Sequence, residues 1–195
     1  MSGKKEEILK AALTLFAQKG FEASSIDEIG AAIKMKGPAL YHYFKGKDAL
    51  LDALTDMLEE HFSAGFGTAE NLRDCPQNMD EFIAQTQERL NFTLHDPLIK
   101  KARRMLTMEQ FRNEKLVRLA GLHQLTSVER LNGIITKKLI ENGSLKPGDS
   151  EMLAFEFTAP ISVLVQFIER EPEREAEYMQ RIRAHMEHFA RVYGA

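Results

Sequence analysis

The sequence predicts an all-α protein. Apolar residues recur at three- and four-residue spacing in nearly every segment, which is helical periodicity. Strand-like alternation appears nowhere over a useful length. Between the periodic segments stand Gly, Pro, Ser and Asp, the residues that start and stop helices. A chain of 195 residues that is 44% hydrophobic and 28% charged is long enough for one compact unit, or two small ones, with a real core. These figures argue against disorder, collagen-like structure and a coiled-coil rod. The single cysteine, Cys75, excludes an intrachain disulfide and any zinc site built from several thiolates.

The elements follow in order. The first helix carries Ile8, Leu9, Ala12, Leu15 and Phe16 at helical spacing and stops at Gly20, where a left-handed cap fits. Ser25 and Glu28 have capping-box spacing, so a short second helix starts there and is interrupted between Lys34 and Pro38. A third helix is expected from about Gly37 to Phe44, with Pro38 in the first turn, where its missing N–H costs nothing. Lys45-Gly46 ends it. Acidic Asp48 suits the start of a long fourth helix through Leu50, Leu51, Leu54, Met57, Leu58 and Phe62. Gly65, Gly67, Pro76 and Asn78 mark 63–78 as a break.

Longer amphipathic helices come next. One covers roughly 79–94 with Met79, Phe82, Ile83, Leu90 and Leu94, and Pro97 opens another through Met105 and Leu106. A long pattern from about Lys115 to Ile140 stops at Asn142-Gly143. Asp149-Ser150 opens a strongly apolar helix to about Ile168, with Pro160 inside it, where it removes a backbone N–H. Glu171-Pro172 breaks the chain before a last helix from about Glu173 to Tyr193. There is no internal repeat and no low-complexity tract.

Charge is unevenly spread. The whole chain has 26 Lys+Arg against 29 Asp+Glu, yet residues 1–47 hold eight Lys against five acids, and the remainder is acidic. From Ile29 to Lys47 there is no acid but four lysines, Lys34, Lys36, Lys45 and Lys47. A basic end on an acidic body is what a nucleic-acid-binding head on a separate body shows, though a surface fluctuation gives the same count.

Residues 25–44 read as helix, tight turn, helix. Ile26, Ile29, Ile33, Met35, Leu40 and Phe44 can close a small core with the first helix. The outer face of the third helix then offers Lys36, Ala39, Tyr41, His42 and, in part, Tyr43. Two tyrosines and a histidine beside lysines make poor core and good DNA contacts: Lys neutralises phosphate and Tyr hydroxyls donate to it. A helix of this size fits the major groove.

The stretches Ile8-Leu9-Lys10-Ala11-Ala12-Leu13-Thr14-Leu15-Phe16, Gly20-Phe21, Ser25-Ile26-Asp27-Glu28-Ile29, Leu40-Tyr41-His42-Tyr43-Phe44 and Lys47-Asp48-Ala49-Leu50-Leu51 make residues 4–51 resemble the N-terminal domain of TetR-family transcriptional regulators. The resemblance covers about a quarter of the chain. It implies a three-helix helix-turn-helix DNA-binding domain over 1–47, joined to a helical effector-binding and dimerisation domain over 48–195. It also implies a repressor, released from double-stranded operator DNA by a small, largely apolar ligand that moves the fourth helix and changes the spacing of two heads. Two positions depart from the family pattern. Lys34 stands where a small residue, often Gly, is usual, and Lys36-Gly37-Pro38 stands where Ser or Thr, a basic residue and Gly are usual. No arginine precedes Arg73, so Lys34, Lys36, His42 and DNA shape must replace the bidentate Arg–guanine contact.

Mapped by that resemblance, Ser24, Ser25 and Ile26 touch phosphate at a helix start, and Lys36, Gly37, Pro38 and Ala39 enter the groove. His42 reaches a base edge or phosphate, Tyr41 and Tyr43 bracket the backbone, and Lys47 pairs with phosphate. Tyr43 as half core and Lys47 as a solvated lysine are the bland alternatives.

In the body, Met179, Ile182, Met186, Phe189 and Tyr193 form one stripe, and Phe155, Phe157, Ile161, Leu164, Val165 and Ile168 form another. Two such helices from each subunit suit a four-helix homodimer interface, which the resemblance implies; both stripes closing the monomer core is the alternative. Nine Met and twelve Phe favour an adaptable apolar cavity. His61, Glu88, Glu109, His123 and Gln166 are the polar candidates to line it.

No cofactor, metal site or enzymatic activity is expected. His185 and His188 lie three apart on a helix but have no third ligand at useful spacing, and Cys75 has no visible base. No G-x-S-x-G, Walker or Rossmann pattern is present. The N-terminus lacks a signal-peptide pattern and no apolar run approaches ~20 residues, so a cytoplasmic protein without a membrane span is expected. The competing readings are an interaction protein that keeps this fold without binding DNA, and a metal-binding helical protein.

Overall fold

The computed structural model describes residues 3–68, 75–121 and 126–195. These form ten α-helices: α1 Gly3–Lys19, α2 Ile26–Ala32, α3 Gly37–Leu40, α4 Lys47–Phe66, α5 Met79–His95, α6 Pro97–Glu109, α7 Glu114–Gly121, α8 Ser127–Glu141, α9 Ser150–Arg170 and α10 Glu175–Tyr193. A 3-10 turn at Pro172–Arg174 precedes α10. The all-α expectation holds; strand-like pairing among the described residues is confined to one antiparallel bridge between Leu145 and Gly194.

Local chemistry sets the helix ends. Gly20, at φ +88°, closes α1 with its N–H on the Phe16 carbonyl. Ser25 caps α2 through the full capping box: its hydroxyl oxygen accepts from Glu28 N–H, and Glu28 Oε2 accepts from Ser25 N–H at 2.9 Å. Asp96 Oδ1 accepts from Leu98 and Ile99 N–H at 2.9 and 3.0 Å to start α6, with Pro97 in the first turn. Asp149 does the same for α9 through Glu151 and Met152. Gly143, at φ +78°, follows the end of α8.

Three expectations change. The third helix is shorter than expected: α3 ends at Leu40 and residues 41–43 are a turn, with both Tyr43 and Phe44 N–H groups on the Leu40 carbonyl. The fourth helix runs on to Phe66, into the segment expected as a break. The long pattern from Lys115 to Ile140 holds two helices, α7 and α8, and residues 122–125 between them lie outside those described.

The chain divides into two compact units. The first takes in residues 1–66 and 95–120, so the 1–47 segment shares its unit with α4, α6 and α7. Its core joins Ile8, Leu9, Ala12, Phe16, Ile29, Leu40 and Phe44 to Leu50, Leu54, Ala102, Met105 and Leu116. Ile26, Ile33, Met35 and Leu15 pack on it half-buried, close to the small core read from the sequence.

The second unit takes in residues 67–94 and 121–195. Its centre is aromatic: Phe157 stacks on Phe82 at 4.5 Å and meets Phe189 edge-on at 5.0 Å. Asn132 donates to Thr158 Oγ1 at 2.8 Å in the same core, satisfying both buried groups. Helix α9 is long and apolar enough, by length and composition, to cross a membrane. Its Leu153, Ala154, Phe157, Ile161, Leu164, Val165 and Ile168 are instead buried within this unit.

Candidate nucleic-acid interface

The α2–α3 element is held by two glycines and one strained lysine. A Cβ at Gly30 would sit 2.7 Å from the Met35 carbonyl oxygen and 3.1 Å from Leu40 Cδ1. A Cβ at Gly37 would sit 1.7 Å from Asp27 Oδ1. Side chains there would force the two helices apart. Lys34 turns the chain between them at φ +57°, the left-handed region, which explains why a small residue is usual at this position. Met35 N–H then returns to the Gly30 carbonyl at 2.8 Å and locks the turn.

On the outside of this frame Ser25, Lys34, Lys36, Pro38, Tyr41 and His42 are exposed, Tyr41 at 59%. Ile26, Ala39 and Tyr43 are half-buried, and Tyr43 packs against the core. The structure therefore brings Lys36, Pro38, Ala39, Tyr41 and His42 together along α3 and its two flanks. At the start of α2, Glu28 takes an ion pair from Lys19. That lysine first, then the Ser25 hydroxyl and N–H, lower the Glu28 carboxyl from 4.5 to about 2, so the cap stays ionised.

Three residues expected at the DNA have inward-facing partners. Ser24 is buried, and its hydroxyl donates to the Gly20 carbonyl at 2.7 Å. Gly37 is buried against α2. The Lys47 ammonium donates to the carbonyls of Phe21, Glu22 and Ser24 at 2.9, 3.2 and 3.3 Å and lies 4.4 Å over the Phe21 ring. All three of its protons face the loop before α2.

Of the candidates for an effector pocket, His61 and Glu109 lie at opposite ends of α6. His61 meets Asp96 Oδ1 at 3.0 Å, at the start of α6. Glu109 is the last residue of α6 and is buried, its Oε1 accepting from Phe21 N–H at 2.8 Å. Thirteen helical residues separate these ends by about 20 Å. Glu88 is exposed on α5, Gln166 is half-buried on α9, and His123 lies outside the described residues. Glu109 as a loop anchor was missed, although Ala102, Met105, Leu106 and Glu109 share one buried helical face.

The two expected dimer stripes are largely internal. Phe157, Ile161, Leu164, Val165 and Ile168 on α9, and Ile182, Met186 and Phe189 on α10, are buried in their own unit. A different face of α9 exposes Met152, Phe155, Val163 and Phe167, and α10 exposes Val192. His185 Nε2 lies 3.0 Å from the Phe157 carbonyl and His188 Nδ1 lies 3.0 Å from Arg191, so each imidazole has a partner other than its neighbour. Among the described residues no three His, Cys, Asp or Glu side chains are grouped to hold a metal.

Comparison with known proteins places this geometry. Residues 8–54 match the family model described as bacterial regulatory proteins, tetR family. YerO of Bacillus subtilis, an HTH-type transcriptional regulator, is 47% identical over 51 residues, covering 26% of this chain and 18% of YerO. That match spans well under two thirds of the relative's own length, as does the match to YuxN of the same organism, at 24%. The TetC protein of transposon Tn10 from Escherichia coli is 28% identical over 154 residues, covering 76% of this chain and 71% of TetC. Among solved structures, SmeT, repressor of the Stenotrophomonas maltophilia multidrug efflux pump SmeDEF, shares the fold at a TM-score of 0.70 and 20% identity, over 100% of this chain and 92% of SmeT. SmeT has also been solved as a triclosan complex. Residues 8–54 thus match the helix-turn-helix segment of the tetR family of bacterial regulatory proteins, and the chain as a whole shares the all-helical fold of SmeT.

Proposed function

We propose that this chain is a homodimeric transcriptional repressor that holds operator DNA with its α2–α3 face and leaves it when a small, largely apolar ligand binds. One observation carries the reading: Lys36, Pro38, Tyr41 and His42 stand exposed together beside a locked turn, in a stretch without acidic residues. Lys34 and Lys36 neutralise phosphate, Tyr41 and Tyr43 donate hydroxyls to it, and His42 reaches a base edge. Pro38 and Ala39 make the close apolar approach in the groove, and Ser25 and Ile26 lie against the backbone. Ser24, Gly37 and Lys47 serve by shaping the element rather than by touching DNA.

A single face of this size reads few base pairs, so two copies are needed for specificity. The exposed α9 stripe of Met152, Phe155, Val163 and Phe167, with Val192 of α10, is the surface assigned to the partner copy. That keeps the dimer on the last two helices while moving it off the residues first expected there. Relatives that are repressors, and SmeT's complex with triclosan, support repression released by a small molecule. The ligand acts by favouring a head spacing that mismatches the operator, and its effect equals its differential affinity for the two states. TetR-family regulators are generally non-enzymatic, and a DNA-binding role places the protein in the cytoplasm.

A gel-shift titration against the DNA upstream of the chain's own gene tests the reading. Specific retention that weakens steeply with salt supports it, and release by an apolar ligand supports the switch. Retention no better than on random duplex overturns it.

A further inference from the structure

We propose that Glu109 is a positioning residue for DNA binding: from the end of α6 its buried carboxylate fixes the loop that aims α2. The inference rests on the DNA-binding reading above. The loop, Gly20 to Ser25, hinges on Phe21. Phe21 N–H donates to Glu109 Oε1 at 2.8 Å, and its carbonyl accepts from Lys47 Nζ at 2.9 Å. Its ring meets Phe16 edge-on at 5.2 Å. Every polar group of the Phe21 backbone is therefore held, one by a residue 88 positions away.

The site is built to admit this carboxylate. A Cβ at Gly20 would lie 2.6 Å from Glu109 Oε1, so the glycine that ends α1 also leaves room for Glu109. Glu109 is 1% exposed and its Oε2 has no hydrogen-bond partner. A buried carboxylate with one oxygen unpaired is a poor choice for stability alone. What it supplies is an acceptor for a buried N–H at the point where the chain turns toward Ser25 and the start of α2. The other end of α6 begins at Asp96, beside His61 of α4. Helix α6 thus runs as a strut of about 20 Å from α4 to the loop ahead of the DNA-reading element. A shift of α6 along its axis releases Phe21 and lets α2 drift.

The experiment compares Glu109→Gln and Glu109→Leu with the wild-type protein, reading operator affinity by anisotropy across a salt series. Glutamine keeps the Oε1 acceptor, so Glu109→Gln binds within about threefold of wild type. Glu109→Leu leaves Phe21 N–H unpaired and weakens binding by about tenfold or more. Its salt slope stays unchanged, whereas loss of a phosphate contact would reduce the slope by about 0.9. Equal affinity for Glu109→Leu and wild type, equal damage in both variants, or a reduced slope overturns the proposal. If Glu109→Leu does not fold, amide exchange of wild-type Phe21 decides: slow exchange supports the clamp and exchange at the rate of a free amide overturns it. That exchange measurement needs no DNA, so failure of the DNA-binding reading and failure of the clamp remain separate results.

Discussion

Lys47 Nζ lies 2.9 Å from the carbonyl oxygen of Phe21, joining the first residue of α4 to the loop before α2. Two further carbonyls, of Glu22 and Ser24, accept from the same ammonium. Lys47→Met keeps the apolar stem and removes the donors. It is expected to lower stability by about 2 kcal/mol, because three carbonyls lose a charged partner. Operator affinity falls with it while the salt slope holds. A slope reduced by about 0.9 would return Lys47 to the phosphate.

Gly30 has no room for a methyl group. Gly30→Ala brings a Cβ to 2.7 Å from the Met35 carbonyl, a backbone atom that cannot swing aside. A loss of about 2 kcal/mol is expected, read as a lower midpoint in urea unfolding with an unchanged slope.

Lys34 holds a backbone conformation that glycine adopts freely. Lys34→Gly trades relief of left-handed strain against greater unfolded-state entropy, and a gain of about 0.5 kcal/mol is expected. The same change removes a cation from the DNA face, so the variant melts higher and binds DNA less tightly. Thermal melts and anisotropy on one preparation check both.

Glu28 gives a pH signature. Its carboxyl is lowered from 4.5 to about 2, chiefly by Lys19 and then by Ser25. A depressed carboxylate stabilises the fold above its ordinary pKa, and that contribution is lost as pH falls toward 2. Wild type is expected to exceed Glu28→Gln in stability at pH 6, and the two are expected to converge as the pH approaches 2.

The α9 stripe predicts a clean change of assembly. Phe155 is 45% exposed and Val163 51%, so charges there leave the monomer core intact. Phe155→Glu with Val163→Glu is expected to sediment as a monomer with wild-type helicity, and to lose cooperative operator binding.

Much of this was legible in the residue pattern. The Ser25–Glu28 box and the Asp149 cap are realised as hydrogen bonds, because capping is local chemistry within three residues. The exposed Lys36, Tyr41 and His42 followed from which neighbours the core required. The length of α3 did not follow: Tyr41 to Phe44 continue the helical spacing, yet Gly46 at φ +129° and the hydrogen bonds on Leu40 turn the chain away. Helix α9 is apolar on two faces, and periodicity alone does not tell the face that meets α8 and α10 from the one left outside. Lys47 and Glu109 find partners 26 and 88 positions away, a range that local pattern does not reach.

The most direct measurement is anisotropy of a labelled operator duplex titrated with wild type and with a Lys36→Ala, Tyr41→Ala, His42→Ala triple variant. Lys36, Tyr41 and His42 are exposed, so the variant is expected to melt with wild type. The account predicts operator binding by wild type at least about a thousandfold tighter than on random duplex, and collapse of that ratio in the variant. A variant that melts normally and keeps the wild-type ratio would contradict it.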